Sequence, residues 1–406
     1  MSGSTQSVAE QRYSPLYFLA SLGAGGLVVT FFMYLMFWVP HPGQPVPVFE
    51  DILKYATSQD IIGQAMVAVA MLGIAFFAVL HYKSLIWNLR QLSAFKKSGA
   101  YDNIHGTNAE SQMKALPLAL AMAVNVGFIL GLVFVPGLWS VVEYLFPLAI
   151  IAFVAIGVFA FRLLGQFFGR VLGDGGFDLK ANNSFAQLLP AFALAMVGVG
   201  LAAPSAMSGT SWIVGTSVVL STIFITAAVI ITIVAMVLAV ISMVQHGTNP
   251  EAAPTLMIVI PIVTVIGIAM MRMNHGLHTT FDVHGGAGET FTLLTKFLSV
   301  QVLFALLGVA ILRRQKYVQT FLSEDGKRSA GSYALVCPGV ALSVMLHFWV
   351  NKGLVATGLI AKFGVAYWVA TAPALILQFA MILLVLKLNH MHFGRSSTPA
   401  ATVPAE

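Results

Sequence analysis

Ten apolar runs of about 20 residues follow one another along the chain, and they constrain its fold more than any other feature. A helix that rises 1.5 Å per residue needs about 20 residues to cross a bilayer core of about 30 Å. Apolar runs of this length predict transmembrane helices, so the fold class is an all-α polytopic membrane protein. The ten runs are 15–39, 61–82, 116–136, 138–162, 184–204, 211–245, 254–274, 291–313, 332–351 and 360–387.

Charge supports this interpretation. Only 9% of the 406 residues are charged, whereas roughly 25% are charged in a typical soluble domain. The net charge of +6 is not gathered on a solvated domain, as nucleic-acid binding requires, so no nucleic-acid partner is expected. The lipid bilayer is the expected surrounding of the chain.

The positive residues predict the orientation of the spans. With ten spans, 16 of the 21 Lys and Arg residues fall on the side of both termini, which is therefore predicted to be cytoplasmic. We expect an integral protein of a bacterial inner membrane. Residues 1–14 and 394–406 are rich in small and polar residues, which predicts disordered tails around one ten-helix domain at 15–393. The other side holds Lys54, Arg272, Lys296, Lys352 and Lys362.

The ten spans pair naturally into five helical hairpins, and the odd-numbered member of each begins near a proline. Two of these prolines, Pro261 and Pro338, are predicted to lie deeper and to bend their helices. Glycines follow in several of the same spans. Two interpretations are open: close packing of helices through small residues, or an inner ring of kinked odd-numbered helices around an axial pathway. The other prolines are Pro15, Pro117, Pro190 and Pro254.

Four local stretches resemble a known family, the tellurite-resistance/dicarboxylate transporters, which include TehA and the plant slow-type anion channels. The resemblance implies five hairpins in a ring, an inner barrel of odd-numbered helices, a pore within each protomer and a homotrimer. It also implies transport of a small anion or another small solute. The stretches are Ser14 to Phe18 (SPLYF), Leu116 to Leu120 (LPLAL), Pro254 to Ile258 (PTLMI) with Pro261, and Tyr333 to Ala341.

Cys337 marks a departure from that family. An aromatic residue usually precedes the kink of the family's ninth helix and is implicated in plugging the pore, whereas this sequence has Cys337 before Pro338 and Gly339. The chain also resembles a TsoY-like branch of similar proteins in which selenocysteine can occur, and that resemblance implies redox chemistry rather than gating at this position. As the only cysteine, Cys337 forms no intrachain disulfide. It is either a small buried hydrophobe or a reactive thiol at a site where Gly339 admits a ligand.

The segment after the seventh run is the most polar one on the non-cytoplasmic side. His275 and His278 are three residues apart and share a face if the helix continues, and His284 follows. These imidazoles are a candidate zinc or copper site, a substrate vestibule or a pH sensor. The alternative is a solvated loop. No cofactor is predicted otherwise, because motifs for nucleotide, haem or zinc-protease chemistry are absent.

Ionisable groups inside a membrane are candidate functional residues. Arg272, Lys296 and Glu143 lie near the outer ends of their spans, where they either extend to the interface or form the outer mouth of an anion pathway. His347 and Asn125 lie deeper and offer hydrogen bonds to a solute.

Two functions therefore remain open. The first is a channel or transporter of the TehA type that passes small anions or small sulfur-containing or acid solutes, along a pathway that includes Pro261 and Cys337 to Gly339. The second is a membrane redox protein or thiol enzyme that uses Cys337 together with the His-rich outer loop. The resemblance favours transport over enzyme activity.

Overall fold

A computed structural model describes residues 13–58, 61–104, 106–175, 177–283, 285–323 and 325–394, apart from the side chains of Ala100 and Asn103. The regular elements in these residues are all helices, and ten of them are long and apolar enough to cross a membrane. The predicted fold class and number of spans are confirmed. The terminal tails predicted from composition lie outside the described residues, except for Tyr13, Ser14 and Gly394.

Fourteen α-helices occur in the described chain, and spans 1 to 10 contain α1, α3, α5, α6, α7 with α8, α9, α10, α11, α13 and α14. The α-helices are α1 Phe18–Trp38, α2 Phe49–Ser58, α3 Ile61–Phe95, α4 Gly99–Ile104, α5 Ala115–Phe134, α6 Leu138–Gly173, α7 Leu189–Leu201, α8 Ala203–Met207, α9 Ser211–His246, α10 Val259–Phe281, α11 Ala287–Arg314, α12 Tyr317–Phe321, α13 Val336–Phe348 and α14 Val365–Phe393.

Two boundaries show how the helices depart from the apolar runs. The second and fourth runs were expected to end at 82 and 162, but their helices continue to Phe95 and Gly173. Charged residues end an apolar run without ending a helix, because Lys and Arg are good helix formers. The predicted turn between the third and fourth spans is confirmed, since Gly137 adopts a positive φ of 71° between α5 and α6.

Every odd-numbered span begins with a short 3₁₀ helix that leads into an α-helix. These segments are Pro15–Tyr17, Asn108–Lys114, Phe185–Leu188, Ala253–Met257 and Ala330–Leu335. A Ser or Thr hydroxyl caps four of them by accepting a backbone N–H two residues ahead. Pro261 and Pro338 each occupy the third position of the α-helix that follows, rather than the helix interior that the sequence suggested.

Burial divides the spans by parity. Between 56% and 89% of residues in the most apolar window of each odd-numbered span are buried, against 17% to 39% in the even-numbered spans. The even-numbered helices instead expose large apolar side chains such as Leu72, Ile151 and Leu306. This exposure suits contact with lipid.

Helix packing follows the same parity. The first span contacts the third, the third contacts the fifth, the fifth contacts the seventh, the seventh contacts the ninth, and the ninth contacts the first. Each even-numbered span packs against the odd-numbered span before it. We call the end at which the odd-numbered spans begin the inner end, and the opposite end the outer end.

Candidate functional site

A cavity of about 830 Å³ lies among the five odd-numbered spans. All five contribute to its wall, and a few residues of spans 4 and 8 complete it. Exposed residues at the outer end, including Asn274, Gly285 and Glu289, also line it. The cavity therefore extends from the outer surface into the interior of the bundle.

Five buried residues form the inner end of the cavity, which we call the floor. They are the innermost lining residue of each odd-numbered span: Leu22, Met122, Phe192, Pro261 and Cys337. Beyond the floor the spans are filled by apolar side chains without solvent exposure, among them Phe18, Leu118 and Leu188. The cavity thus ends inside the bundle.

Sulfur-containing and aromatic side chains make up much of the cavity wall. Seven methionines line it, and thioethers are polarisable and adapt to different shapes. The polar residues Asn125 and Thr264 are the exceptions at depth, and both use their side chains within the protein. Asn125 Nδ2 donates to Ala121 O at 3.1 Å, and Thr264 Oγ1 donates to Ile260 O at 2.9 Å. The methionines are Met33, Met36, Met122, Met196, Met207, Met270 and Met271.

Arg272 lies on the cavity wall, toward its outer end. It belongs to the same lining stripe of α10 as Pro261, Thr264, Val265 and Ile268, eleven residues beyond Pro261, or about 16 Å along the helix axis. One guanidinium nitrogen donates to Val199 O at 2.9 Å. No carboxylate in the described chain pairs with Arg272, so its remaining N–H donors are available to a bound anion.

Lys352 is the second cation of the wall, and the sequence analysis did not select it. It lies in a π-helical turn, Trp349–Val355, that continues α13. π-Helical turns are rare and often occur at functional sites. Lys352 has no ion-pair partner among the described residues. It also lines a smaller adjoining pocket of about 480 Å³, together with Lys362 and His41. Burial lowers the pKa of Lys362, and the charge of Lys352 lowers it further.

His275 and His278 line the outer part of the cavity, as a substrate vestibule requires. His278 Nδ1 lies 3.2 Å from Val283 O. His284, the third candidate metal ligand, lies outside the described residues. Within the described chain, no three His, Cys, Asp or Glu side chains are grouped closely enough to hold a metal ion.

Two other predicted outer-mouth residues lie away from the cavity lining. Lys296 is exposed on α11. Glu143 accepts hydrogen bonds from Ser208 Oγ and Gly209 N, both at 2.7 Å, and from Thr210 Oγ1 at 3.3 Å. Glu143 therefore fixes the loop that precedes α9.

The predicted pathway residues divide into two groups. Asn125, Pro261 and Cys337 line the cavity. Pro338, Gly339 and His347 do not. A side chain at Gly339 would meet Met381 of α14, so this glycine permits close helix packing rather than the approach of a ligand. The ring of His347 is fully buried among Tyr34, Phe37 and Trp38, at centroid distances of 6.0 to 6.4 Å.

Among the described residues, the site is an apolar cavity whose wall carries two cations without ion-pair partners, Arg272 and Lys352, toward its outer end. Positive charge of this kind favours anions over cations in that part of a cavity. Comparison of the sequence with protein-family models and with curated proteins finds no match.

Proposed function

We propose that this protein is a membrane transporter or channel of the TehA type, in which each protomer passes small anions or small acid solutes through its own cavity. The odd-numbered spans would form an inner barrel within a ring of five hairpins. The succession of contacts from the first span to the ninth and back to the first supports this arrangement. The difference in burial between odd-numbered and even-numbered spans supports it as well.

The observation that carries the proposal is the unpaired charge of Arg272 on the cavity wall. A cation in a membrane-embedded cavity is costly unless it has a partner, and here the partner would be the transported anion. Lys352 supplies a second positive charge toward the outer end. Such charges concentrate anions in a pathway and lower the barrier to their entry.

Proteoliposome uptake of nitrate, chloride and acetate tests the proposal. Arg272→Gln removes the charge and keeps a hydrogen-bond donor for Val199 O. We expect it to lower anion uptake at least about tenfold, because a charge-assisted contact contributes about 1.5–3 kcal/mol. Lys296→Gln is the matched control, since Lys296 is an exposed cation that does not line the cavity.

Equal uptake by the wild type, Arg272→Gln and protein-free liposomes would exclude anion transport. Equal losses in Arg272→Gln and Lys296→Gln would assign the effect to overall charge rather than to the cavity.

One observation favours the second function, a thiol or redox protein: Cys337 lies on the floor of the cavity. However, the floor is remote from the histidines. Fourteen residues separate Pro261 from His275 on α10, or about 21 Å by helix rise. A direct thiol–imidazole pair is therefore not supported. Uptake that persists in Cys337→Ala would exclude an essential thiol.

The trimer is proposed from the family resemblance alone. Native mass measurement of the protein released from lipid nanodiscs tests it, and a homogeneous monomer would contradict it.

A further inference from the structure

We propose that the cavity takes an organic monoanion whose charged head group binds near Arg272 and Lys352 and whose apolar body extends toward Cys337. This substrate class rests on the proposed function and makes it more specific. It concerns the part of the cavity between Arg272 and the floor, which we call the chamber.

The size of the cavity favours an organic solute. Pockets for organic ligands usually measure about 300–1,000 Å³, and this cavity measures about 830 Å³. A water molecule takes about 30 Å³ in the liquid, so an inorganic anion of comparable size would leave most of the chamber to water. Apolar walls bind such water poorly, whereas an apolar occupant would displace it.

The wall of the chamber matches an apolar body. Between Arg272 and the floor, the lining consists mainly of Met, Phe, Val, Leu and Ile side chains. Thr264, one of the two polar exceptions, already donates to Ile260 O and accepts from Gln301 Nε2 at 2.6 Å. The other, Asn125, donates to Ala121 O. The Thr264 hydroxyl and the Asn125 amide N–H groups therefore already have protein partners, and among the described lining residues no cation lies in this part of the cavity.

The charges specify a single negative head group. Among the described lining residues, Arg272 and Lys352 are cations and Glu289 is the only carboxylate, which leaves one positive charge in excess. All three lie at or beyond the level of Arg272. A second carboxylate at the far end of a solute would therefore be buried near Cys337 without a cation, at a large desolvation cost.

We expect the solute to enter from the outer aqueous phase, because the cavity lining continues to exposed residues such as Asn274 and Gly285. A fatty acid dissolved in the bilayer has the same chemistry. Empty nanodiscs separate binding to the protein from partition into lipid, since they take up amphiphiles by partition alone.

Calorimetric titration of the full chain in lipid nanodiscs tests the substrate class with four probes: butanoate, octanoate, octanedioate and octan-1-ol. Heat from empty nanodiscs is subtracted. Each methylene group that enters the chamber should strengthen binding about fourfold, so the four additional methylene groups of octanoate should make it about 250-fold tighter than butanoate. Octanedioate and octan-1-ol should each bind at least about tenfold more weakly than octanoate. Octanedioate would bury a second charge without a partner, and octan-1-ol lacks the charged head group.

Two variants and one control show where the head group and the apolar body of the bound anion lie. Arg272→Gln should weaken octanoate binding about tenfold, while Lys296→Gln should leave it unchanged. Val265→Phe adds a ring to the chamber wall and should reduce the preference for octanoate over butanoate. Because these variants act on different parts of the cavity, the head-group and chain effects are measured separately.

Equal binding of butanoate and octanoate, binding of octanedioate as tight as that of octanoate, or uptake fully explained by empty nanodiscs would overturn this inference. If nitrate and acetate uptake still depended on Arg272, the proposed transport function would stand and the substrate class alone would be wrong. If octanoate bound through Arg272 but no anion crossed the membrane, the proposed function would fail and the binding site would remain.

Discussion

The cations at the inner and outer ends of the bundle have opposite surroundings. At the inner end, Lys114 is 2% exposed, donates to Glu110 O at 3.2 Å and lies 4.9 Å from the centre of the Phe167 ring, while Arg170 forms an ion pair with Glu110. At the outer end, Arg272 has a single backbone acceptor, the carbonyl of Val199. The first arrangement uses its cations for structure, whereas the second leaves donors for a ligand.

Side-chain packing also differs between the two ends of the bundle. Inward of the floor, the odd-numbered spans are filled by apolar side chains, whereas their longer outer parts enclose the cavity. Both parts are apolar in composition. The distinction between a closed end and an open end therefore depends on how side chains are placed, not on mean hydropathy.

Replacing the inner carboxylate should have a large effect on stability. Glu110→Gln leaves Lys114 and Arg170 without a counter-charge, and breaking a buried pair costs about 3–5 kcal/mol. Because the Arg170 side chain is 28% exposed, we expect the lower part of that range, about 3 kcal/mol. SDS-induced unfolding measures it. If Glu110→Gln destabilised the protein no more than Arg272→Gln does, the cations at the two ends would not differ in their contribution to stability.

Shortening the aromatic residue of the floor should have the largest effect on permeation. Phe192→Ala removes a ring from the inner end of the cavity, and a hydrophobic constriction of this kind blocks ions by excluding water. We expect the rate of nitrate efflux from proteoliposomes to rise about tenfold.

Met196→Ala is the matched control for the floor. It lies one turn further out on α7, is also buried and also lines the cavity. Both changes should cost a few kcal/mol of stability, about 2–5. Only Phe192→Ala should raise efflux, so an equal rise in both variants would show that the barrier is not the floor.

Two fully buried histidines provide a smaller contrast. His81 Nδ1 lies 2.8 Å from Ser21 O, whereas neither ring nitrogen of His347 has a hydrogen-bond partner among the described residues. His81→Phe should therefore cost about 1–2 kcal/mol, because the hydrogen bond between the His81 side chain and Ser21 is lost, and His347→Phe should be neutral or stabilising.

Thermal unfolding of the His81→Phe and His347→Phe proteins in nanodiscs compares these residues, and anion uptake is measured in parallel. Loss of uptake in His347→Phe without loss of stability would instead support the pathway role that the sequence suggested for this residue.

The position of His347 illustrates what the sequence could and could not predict. Apolar runs predicted the ten spans, because length and hydropathy decide whether a helix crosses a membrane. Which face of a helix lines the cavity depends on packing. On α13 the lining residues are Cys337, Val340, Ala341, Val344 and Phe348. His347 is ten residues from Cys337 and thus about 80° around the helix from it.

The same spacing was available in the sequence for Arg272. Pro261, Thr264, Val265 and Ile268 follow the helical repeat, and Arg272 continues it on one face. Lys352 follows Phe348 by four residues, as Arg272 follows Ile268, so the same spacing applied to it as well. The π-helical turn that contains Lys352 was not predicted, because a pattern of apolar residues does not distinguish such a turn from an α-helical one.

Removing the carboxylate of the cavity should have the smallest effect. Glu289 is exposed and forms no ion pair within the described chain, so Glu289→Gln should leave stability within about 0.5 kcal/mol. It raises the positive potential near Arg272 and Lys352, and we expect anion uptake at low ionic strength to rise about twofold.

Asp282→Asn is the control, because Asp282 lies nearby outside the lining and Asn tolerates its positive φ of 54°. The rise should disappear at high ionic strength, since salt screens exposed charges. A rise that persisted there, or that Asp282→Asn reproduced in full, would mean that Glu289 does not act through the field of the cavity.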